Sequence, residues 1–466
     1  MLIIKPFLIS KYFGSLFYMT LVKNKVTAFF KIITLTFLFF NPFILFSQVK
    51  IKDSVLAEVS ITTAIEYALL HQPVIQQSLI DQQIVSATIK SKLSEMFPQV
   101  NLNYSLQYNL IRPTSVIGGN PVQLGVNNAS VGQFTFSQTI FNKDVLLARR
   151  TQKDIKQQST LATSSAKIDL AADVAKAFYD IMATIQQIKI AGENILRIQQ
   201  SLKDALSQYQ SGAADKIDFK RATISLNSSI SAKKSYEAIL KAKIVVLKTL
   251  MGYPENENLK IVFDTSQMEK EILLDTLQIP DFTKRIEYRL LETQKKLLQY
   301  NVNYYQWSYL PSLSANAAYN LSYQNDQFYK LYLNNYPNSF ASFNLVFPLL
   351  QGGKRRANKN SAALYVQRNQ QDLIQLENRV NSGYALALAV YKVNLQNYLS
   401  LKENLLLARE VYDVIQLQYR SGIKTYLEVI TAEADLRSTQ INYFTAMYQL
   451  LASKIDVQKS LGQINY

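Results

Sequence analysis

The chain has no cysteine and a single histidine, His71, among its 466 residues. Those two shortages exclude disulfides, thiolate metal centres, cysteine nucleophiles and any multi-histidine metal cluster. A Ser-His-Asp triad would have to use His71, and nothing of the nucleophile-elbow kind accompanies it. A structural or capping role fits this residue. Glycine (13) and proline (11) are scarce as well, which leaves little chain for loops and places most of it in regular structure. Tryptophan occurs once, beside 29 Tyr and 23 Phe. The mean hydropathy is −0.04 although 48% of residues are hydrophobic. This composition disfavours an enzyme, and we expect no catalytic, metal or cofactor residues.

Acids are missing from residues 1–47, which hold Lys5, Lys11, Lys23, Lys25 and Lys31. Setting those five lysines aside lowers the net charge from +16 to +11. The remaining cations are spread, with short pairs such as Arg149-Arg150 and Arg355-Arg356. They read as a solvated basic surface and not as a nucleic-acid footprint. Lys23, Lys25 and Lys31 precede an apolar run from Ile32 to Phe46, followed by the small residue Ser47. This order predicts a signal peptide over 1–47, with cleavage near Ser47 and export of the mature chain. Counting from Met19 instead gives a signal of ordinary length. The apolar run is short of the roughly 20 residues a membrane-spanning helix needs. No cysteine is present to carry a lipid.

The chain then repeats itself. Tyr209-Gln-Ser-Gly212 recurs 210 residues later as Tyr419-Arg-Ser-Gly422, and at the same offset Gly252 meets Gly462. Upstream, Phe97-Pro98 answers Leu310-Pro311. Two copies fill the chain, a duplication and not a solenoid. The first repeat spans 48–252, an irregular segment 253–282, and the second repeat 283–466.

Each repeat opens on a helical segment, 62–96 or about 283–307, stopped by Pro98 or Pro311. Strands follow at about 99–110 and 130–140, and again at about 312–323 and 339–348. From Val100 to Leu110 every even position is apolar and every odd one polar. Such alternation fits either a half-buried soluble strand or a membrane-barrel strand. The polar positions are Asn, Ser and Gln and not Lys or Glu, and aromatics gather at Tyr304, Tyr305, Trp307 and Tyr309. With the export signal, these features favour the membrane barrel. Four strands cannot close one, because small membrane barrels need about eight, and an open edge in lipid strands backbone groups without partners. Several chains must therefore share a barrel. The segments 111–128 and 324–338 read as loops.

Helical hairpins complete each repeat, at about 142–251 and 354–461. Their first arms lack proline for nearly 70 residues, or about 100 Å of helix at ~1.5 Å per residue. Each arm ends at the Tyr-x-Ser-Gly turn, where glycine supplies the positive φ of a helix stop.

The ordered set resembles TolC-type outer-membrane efflux proteins (outer membrane factors) over about residues 58–463. Its marks are Ala64-Ile65-x-x-Ala68-Leu69-x-x-x-Pro73, the twin Tyr-x-x-Gly turns, and the helix–strand–strand–helix–helix order occurring twice. The resemblance implies a mainly α fold with a membrane β-barrel contribution. In it, four strands per chain build a shared 12-stranded barrel in a homotrimer above a periplasmic α-helical tunnel. It also implies an exit duct in the outer membrane of a Gram-negative bacterium, working with a periplasmic adaptor and an inner-membrane pump of RND, ABC or MFS type. Lipid is its surroundings, and nucleic acid is no partner. By the same resemblance Tyr209, Ser211, Gly212, Tyr419, Ser421 and Gly422 form the adaptor-docking tips. Glu428 and its first-repeat equivalent Asp218 constrict the periplasmic entrance, although Thr431 replaces the second acid of some members. Thr425-Tyr-Leu-Glu428 also reads as a capping box. The alternatives are a periplasmic coiled-coil adaptor, which needs one hairpin, and a passive porin, which has little helix.

Overall fold

The computed structural model describes residues 58–464 apart from 213, 214 and 279; the expected signal peptide lies outside the described residues. A two-residue strand, β1 (Glu58–Val59), leads into helices α1 (Ile61–His71) and α2 (Pro73–Ser94). Ser60 and Thr63 build a capping box at the start of α1. The sequence predicts one helix across 62–96, yet the chain breaks at Gln72, whose ψ of 123° is the extended conformation that a following proline demands. Gln72 then caps α2, its side chain accepting from the Val74 amide at 2.9 Å.

Strand β2 (Gln99–Tyr108) follows, then a small hairpin of β3 (Thr114–Ile117) and β4 (Asn120–Gln123) in the stretch read from sequence as loop. Gly118 and Gly119 turn that hairpin with φ of 62° and 86°. After β5 (Asn128–Phe141) come the arms α3 (Lys143–Gln210) and α4 (Lys216–Met251). The inter-repeat stretch holds β6 (Lys260–Ile261) and α5 (Thr265–Glu271). The second repeat gives α6 (Ile286–Gln306), β7 (Ser312–Asn325), β8 (Asn338–Val346), α7 (Lys354–Arg420) and α8 (Tyr426–Leu461).

The four long strands form one antiparallel sheet in the order β2-β5-β7-β8. Register decides which side chains share a face. Val100, Phe136, Ala317 and Ala341 make one apolar row. The next row, Gln99, Ser137, Asn316 and Ser342, is polar throughout. One face is thus mostly apolar and the other mostly lined by Asn, Ser, Gln and Thr; Val131, Ala318 and Phe340 fall on the polar side, and Ser130, Gln138 and Ser339 on the apolar side. Strands β2 and β8 are exposed along their whole length, and each leaves one edge of the sheet unpaired.

The main core lies where the middle of the long first arms meets the ends of the returning arms, around Phe178, Ile181, Met182, Leu247, Met251, Met447 and Leu450, all buried. Small residues on α3, including Ala171, Ala172 and Ala175, are buried too and let the helices approach closely. A ladder of tyrosines straps the inter-repeat stretch to α7. Tyr384 donates to Gln278 O at 2.6 Å, and Tyr391 donates to Ile272 O at 2.9 Å. Tyr398 meets Tyr443, whose hydroxyl bonds Glu269. Sevenfold spacing puts the three rungs on one helical face. At the start of the described chain, β1 pairs in parallel with β6, and Lys260 bridges Glu58 at 2.6 Å.

Candidate functional site

Two regions hold the candidate site residues and the two-faced surface: the hairpin tips and the four-stranded sheet. At the first tip, α3 stops at Ser211 and Gly212, with Gly212 at φ 75°. Tyr209 is 39% exposed and packs its ring 5.1 Å from that of Phe219 on the returning arm. Asp215 caps α4, accepting from the Ile217 amide at 3.0 Å, and Asp218 stands in the first turn beyond it.

The second tip has the same turn, with Gly422 at φ 76° and the Ile423 amide returning to Gln418 O at 2.9 Å. Tyr419 differs from its counterpart. It is buried against Ala222, Tyr426 and Val429, and its hydroxyl donates to Gln208 of the first hairpin at 3.0 Å. Tyr419 rivets one hairpin to the other, while Ser421 and Gly422 stay exposed. The apolar surface of this tip comes instead from Ile423, 71% exposed, and Leu427, 51% exposed. Sequence reasoning missed both; for Ile423, its place directly after the turn glycine was the available signal.

Glu428 closes a capping box with Thr425. The Thr425 amide donates to its carboxylate at 2.9 Å and the Thr425 hydroxyl at 3.0 Å. Lys424 donates to the other carboxylate oxygen at 2.6 Å. The Lys424 bond, followed by the Thr425 amide, holds the Glu428 carboxyl down at about 2. Its negative charge is permanent at physiological pH, and a lysine stands directly against it.

A second acid was not legible in the sequence. Glu433 of α8 is buried, 3.6 Å from Arg197 of α3, too far for a hydrogen bond. Burial pushes its carboxyl up to about 7, with Arg197 and Arg437 opposing the rise. Arg437 also donates to Ser229 of α4 at 3.1 Å, and Ser229 accepts from Asn194 at 3.0 Å. This polar junction joins α3, α4 and α8 in the interior. Because the folded-state pKa lies above the ordinary 4.5, Glu433 favours the fold below pH 4.5, and that contribution fades as pH rises through 7. The parent should lose up to about 3 kcal/mol per chain across that window. Glu433→Gln should flatten the dependence. Melting temperatures of the detergent-solubilised protein at pH about 5 and about 8 check this; an equal slope in both proteins would remove Glu433 as its source.

His71, the lone histidine, donates from Nδ1 to Tyr67 O at 2.9 Å and stacks on the Tyr67 ring at 3.9 Å. It finishes α1. No group of three or more His, Asp or Glu that could hold a metal ion occurs among the described residues. None of their helices is long and apolar enough to cross a membrane.

Comparison with known proteins fits this geometry. The chain is 22% identical over 424 residues to the cation efflux system protein CusC of Escherichia coli K12, covering 86% of each protein. It is 21% identical over 397 residues to SilC of Salmonella typhimurium, described as a probable outer membrane lipoprotein, covering 79% of this chain and 78% of that one. Among solved structures, CusC superposes with a TM-score of 0.68 at 18% identity, over 86% of this chain and 92% of the other. The open-state MtrE channel of Neisseria gonorrhoeae gives 0.67 at 17% identity, over 86% and 88%. The sequence pattern of the outer membrane efflux proteins matches residues 64–253 and 291–463, one segment in each repeat, and the chain belongs to that family.

Proposed function

We propose that three copies of this outer-membrane efflux channel close a 12-stranded barrel, β8 of one chain pairing with β2 of the next. The observation that carries the reading is the sheet itself: one apolar face, one polar face, and two fully exposed edges. Left open in lipid, each unpaired backbone group costs several kcal/mol; joined edge to edge, none remains. The apolar rows meet lipid and the polar rows line a wet lumen. The hairpins, their first arms 68 and 67 residues long, continue that lumen for about 100 Å into the periplasm. Their tips meet a periplasmic adaptor that couples the duct to an inner-membrane pump of RND, ABC or MFS type. Residues Tyr209, Ser211, Gly212, Ser421 and Gly422 shape that docking surface, with Tyr419 fixing it from behind. Glu428 and Asp218, at the starts of α8 and α4, colour the entrance electrically, Glu428 with its charge partly offset by Lys424. The chain performs no chemistry, and the pump supplies the energy.

The absence of cysteine makes the edge pairing testable without background. Single-chain variants carrying Ser105→Cys on β2 and Ser342→Cys on β8, both on the polar face, should oxidise into covalent trimers. A non-reducing gel that shows only monomer, together with a monomeric mass by native mass spectrometry, would overturn the shared barrel.

A further inference from the structure

The two ends of the sheet differ in charge. At the end away from the hairpins, the connections 109–127 and 326–337 hold only Arg112, Lys330 and Asp326, and Arg112 pairs with Asp326 at 3.4 Å. The four strands carry no charged residue at all. At the other end, where β5 and β8 run into α3 and α7, Arg149, Arg150, Lys354, Arg356 and Lys359 are exposed. None of these five has a carboxylate partner among the described residues. Two of the acids nearby are engaged elsewhere: Asp144 accepts from the Tyr304 hydroxyl at 2.6 Å, and Glu95 pairs with Lys92 at 2.8 Å.

Aromatic rings underlie this collar. Lys143 lies 4.3 Å over Tyr304, Arg150 4.8 Å over Trp307, and Arg355 4.5 Å over Tyr309. Next to them the chain exposes an apolar rim, with Leu349 at 82%, Leu350 at 92% and Phe97 at 65%. Tyrosine and tryptophan settle at the level of lipid headgroups because one part of the ring is apolar and one edge polar. A ring beneath a guanidinium fixes its face and leaves its N–H edge open to a phosphate, which arginine binds in a two-pronged fashion.

We propose that this collar binds the anionic headgroups of phospholipids in the periplasmic leaflet of the outer membrane and so sets the depth at which the channel sits. The inference rests on the proposed orientation, with the sheet in the membrane and the helices in the periplasm. Charge complementarity is its driving force, since clustered cations at a bilayer surface attract anionic lipid whereas zwitterionic lipid offers no net charge. The near-neutral opposite end has no such attraction, so the grip acts on one leaflet alone.

The test uses the full-length protein purified from membranes and offered equal amounts of phosphatidylglycerol and phosphatidylcholine, with retained lipid counted by native mass spectrometry. The parent should keep phosphatidylglycerol in preference. Arg149→Gln, Arg150→Gln and Arg356→Gln together should cut that preference about tenfold or more, while Lys220→Gln, Arg221→Gln and Lys241→Gln on α4 leave it unchanged. Equal retention of the two lipids, or a preference that survives the collar variant, overturns the proposal. Displacement of phosphatidylglycerol by inorganic phosphate would make the collar a phosphate site and overturn the membrane assignment. Failure of the parent to insert into vesicles of either lipid is a separate outcome: it overturns the barrel reading on which the proposal rests.

Discussion

Gly252→Ala is expected to lower the melting temperature far more than the matching Gly462→Ala, although the two glycines end equivalent helices of the two repeats. Both hold a left-handed backbone, at φ 67° and 71°, and for any residue with a Cβ that conformation costs ~1–2 kcal/mol. The surroundings separate them. A Cβ at Gly252 would stand 2.7 Å from the carbonyl oxygen of His71 and 3.0 Å from the Cα of Gln72. Both are backbone atoms at the junction of α1 and α2, where the chain is already held by Pro73 and by the stacked His71. They cannot swing aside as a side-chain end can. A Cβ at Gly462 would meet the Cγ of Arg285 at 3.4 Å, an ordinary van der Waals contact, and no backbone atom nearer than 3.9 Å. Crowding of the Gly252 kind adds ~1–3 kcal/mol, so the first substitution should cost about 2–5 kcal/mol and the second about 1–2. Scanning calorimetry or fluorescence melting of the two purified variants reads the difference. Equal shifts would mean that α1 moves freely away from the end of α4.

The close approach at Gly252 also shows where the sequence stopped speaking. The recurrence of Gly252 as Gly462 was legible, since both sit where a helix must stop, but the clash partner was not, because nothing in the local pattern brings His71 to residue 252. The same division runs through the molecule. Alternation in Val100–Leu110 exposed a two-faced strand, because side-chain period is a local property. The β3–β4 hairpin within 111–128 escaped notice: its glycines, asparagines and prolines read as loop, and its short strands pair only with each other. Glu428 announced its cap through the spacing Thr425-x-x-Glu428. Glu433 announced nothing, since its burial depends on α3 crossing α8, and an acid in a helix otherwise reads as a solvated surface residue. Tyr384, Tyr391 and Tyr398 could have been found by their sevenfold spacing, yet their hydrogen-bond partners lie in an inter-repeat stretch with no pattern of its own. The order of elements was written locally, whereas the contacts that separate twin positions were not.

Replacing both tip glycines, Gly212→Val with Gly422→Val, is expected to abolish export while leaving assembly and melting temperature close to the parent. The glycines have φ of 75° and 76°, like Gly252, but a Cβ at either would meet no heavy atom within 4 Å. No clash therefore reaches the core, and the left-handed penalty of ~1–2 kcal/mol is confined to a turn that can relax into solvent. Relaxation is what damages the tip. At the second turn it breaks the bonds from the Gly422 amide to Tyr419 O at 2.9 Å and from Ile423 to Gln418 O at 2.9 Å, and so displaces the exposed Ile423. At the first it breaks the bond from the Gly212 amide to Tyr209 O at 3.1 Å. Loss of only ~1.4 kcal/mol of docking lowers adaptor affinity tenfold, and with two tips per chain the effect multiplies across the assembly. Ile423→Ser separates shape from surface, because it keeps Gly422 and its turn while removing the apolar side chain. If docking is apolar, that variant should reproduce most of the export defect and lose adaptor in crosslinked pull-downs. If the glycine pair exports normally in cells lacking the parent channel, the tips are not the docking surface, and the adaptor must grip the helices above them.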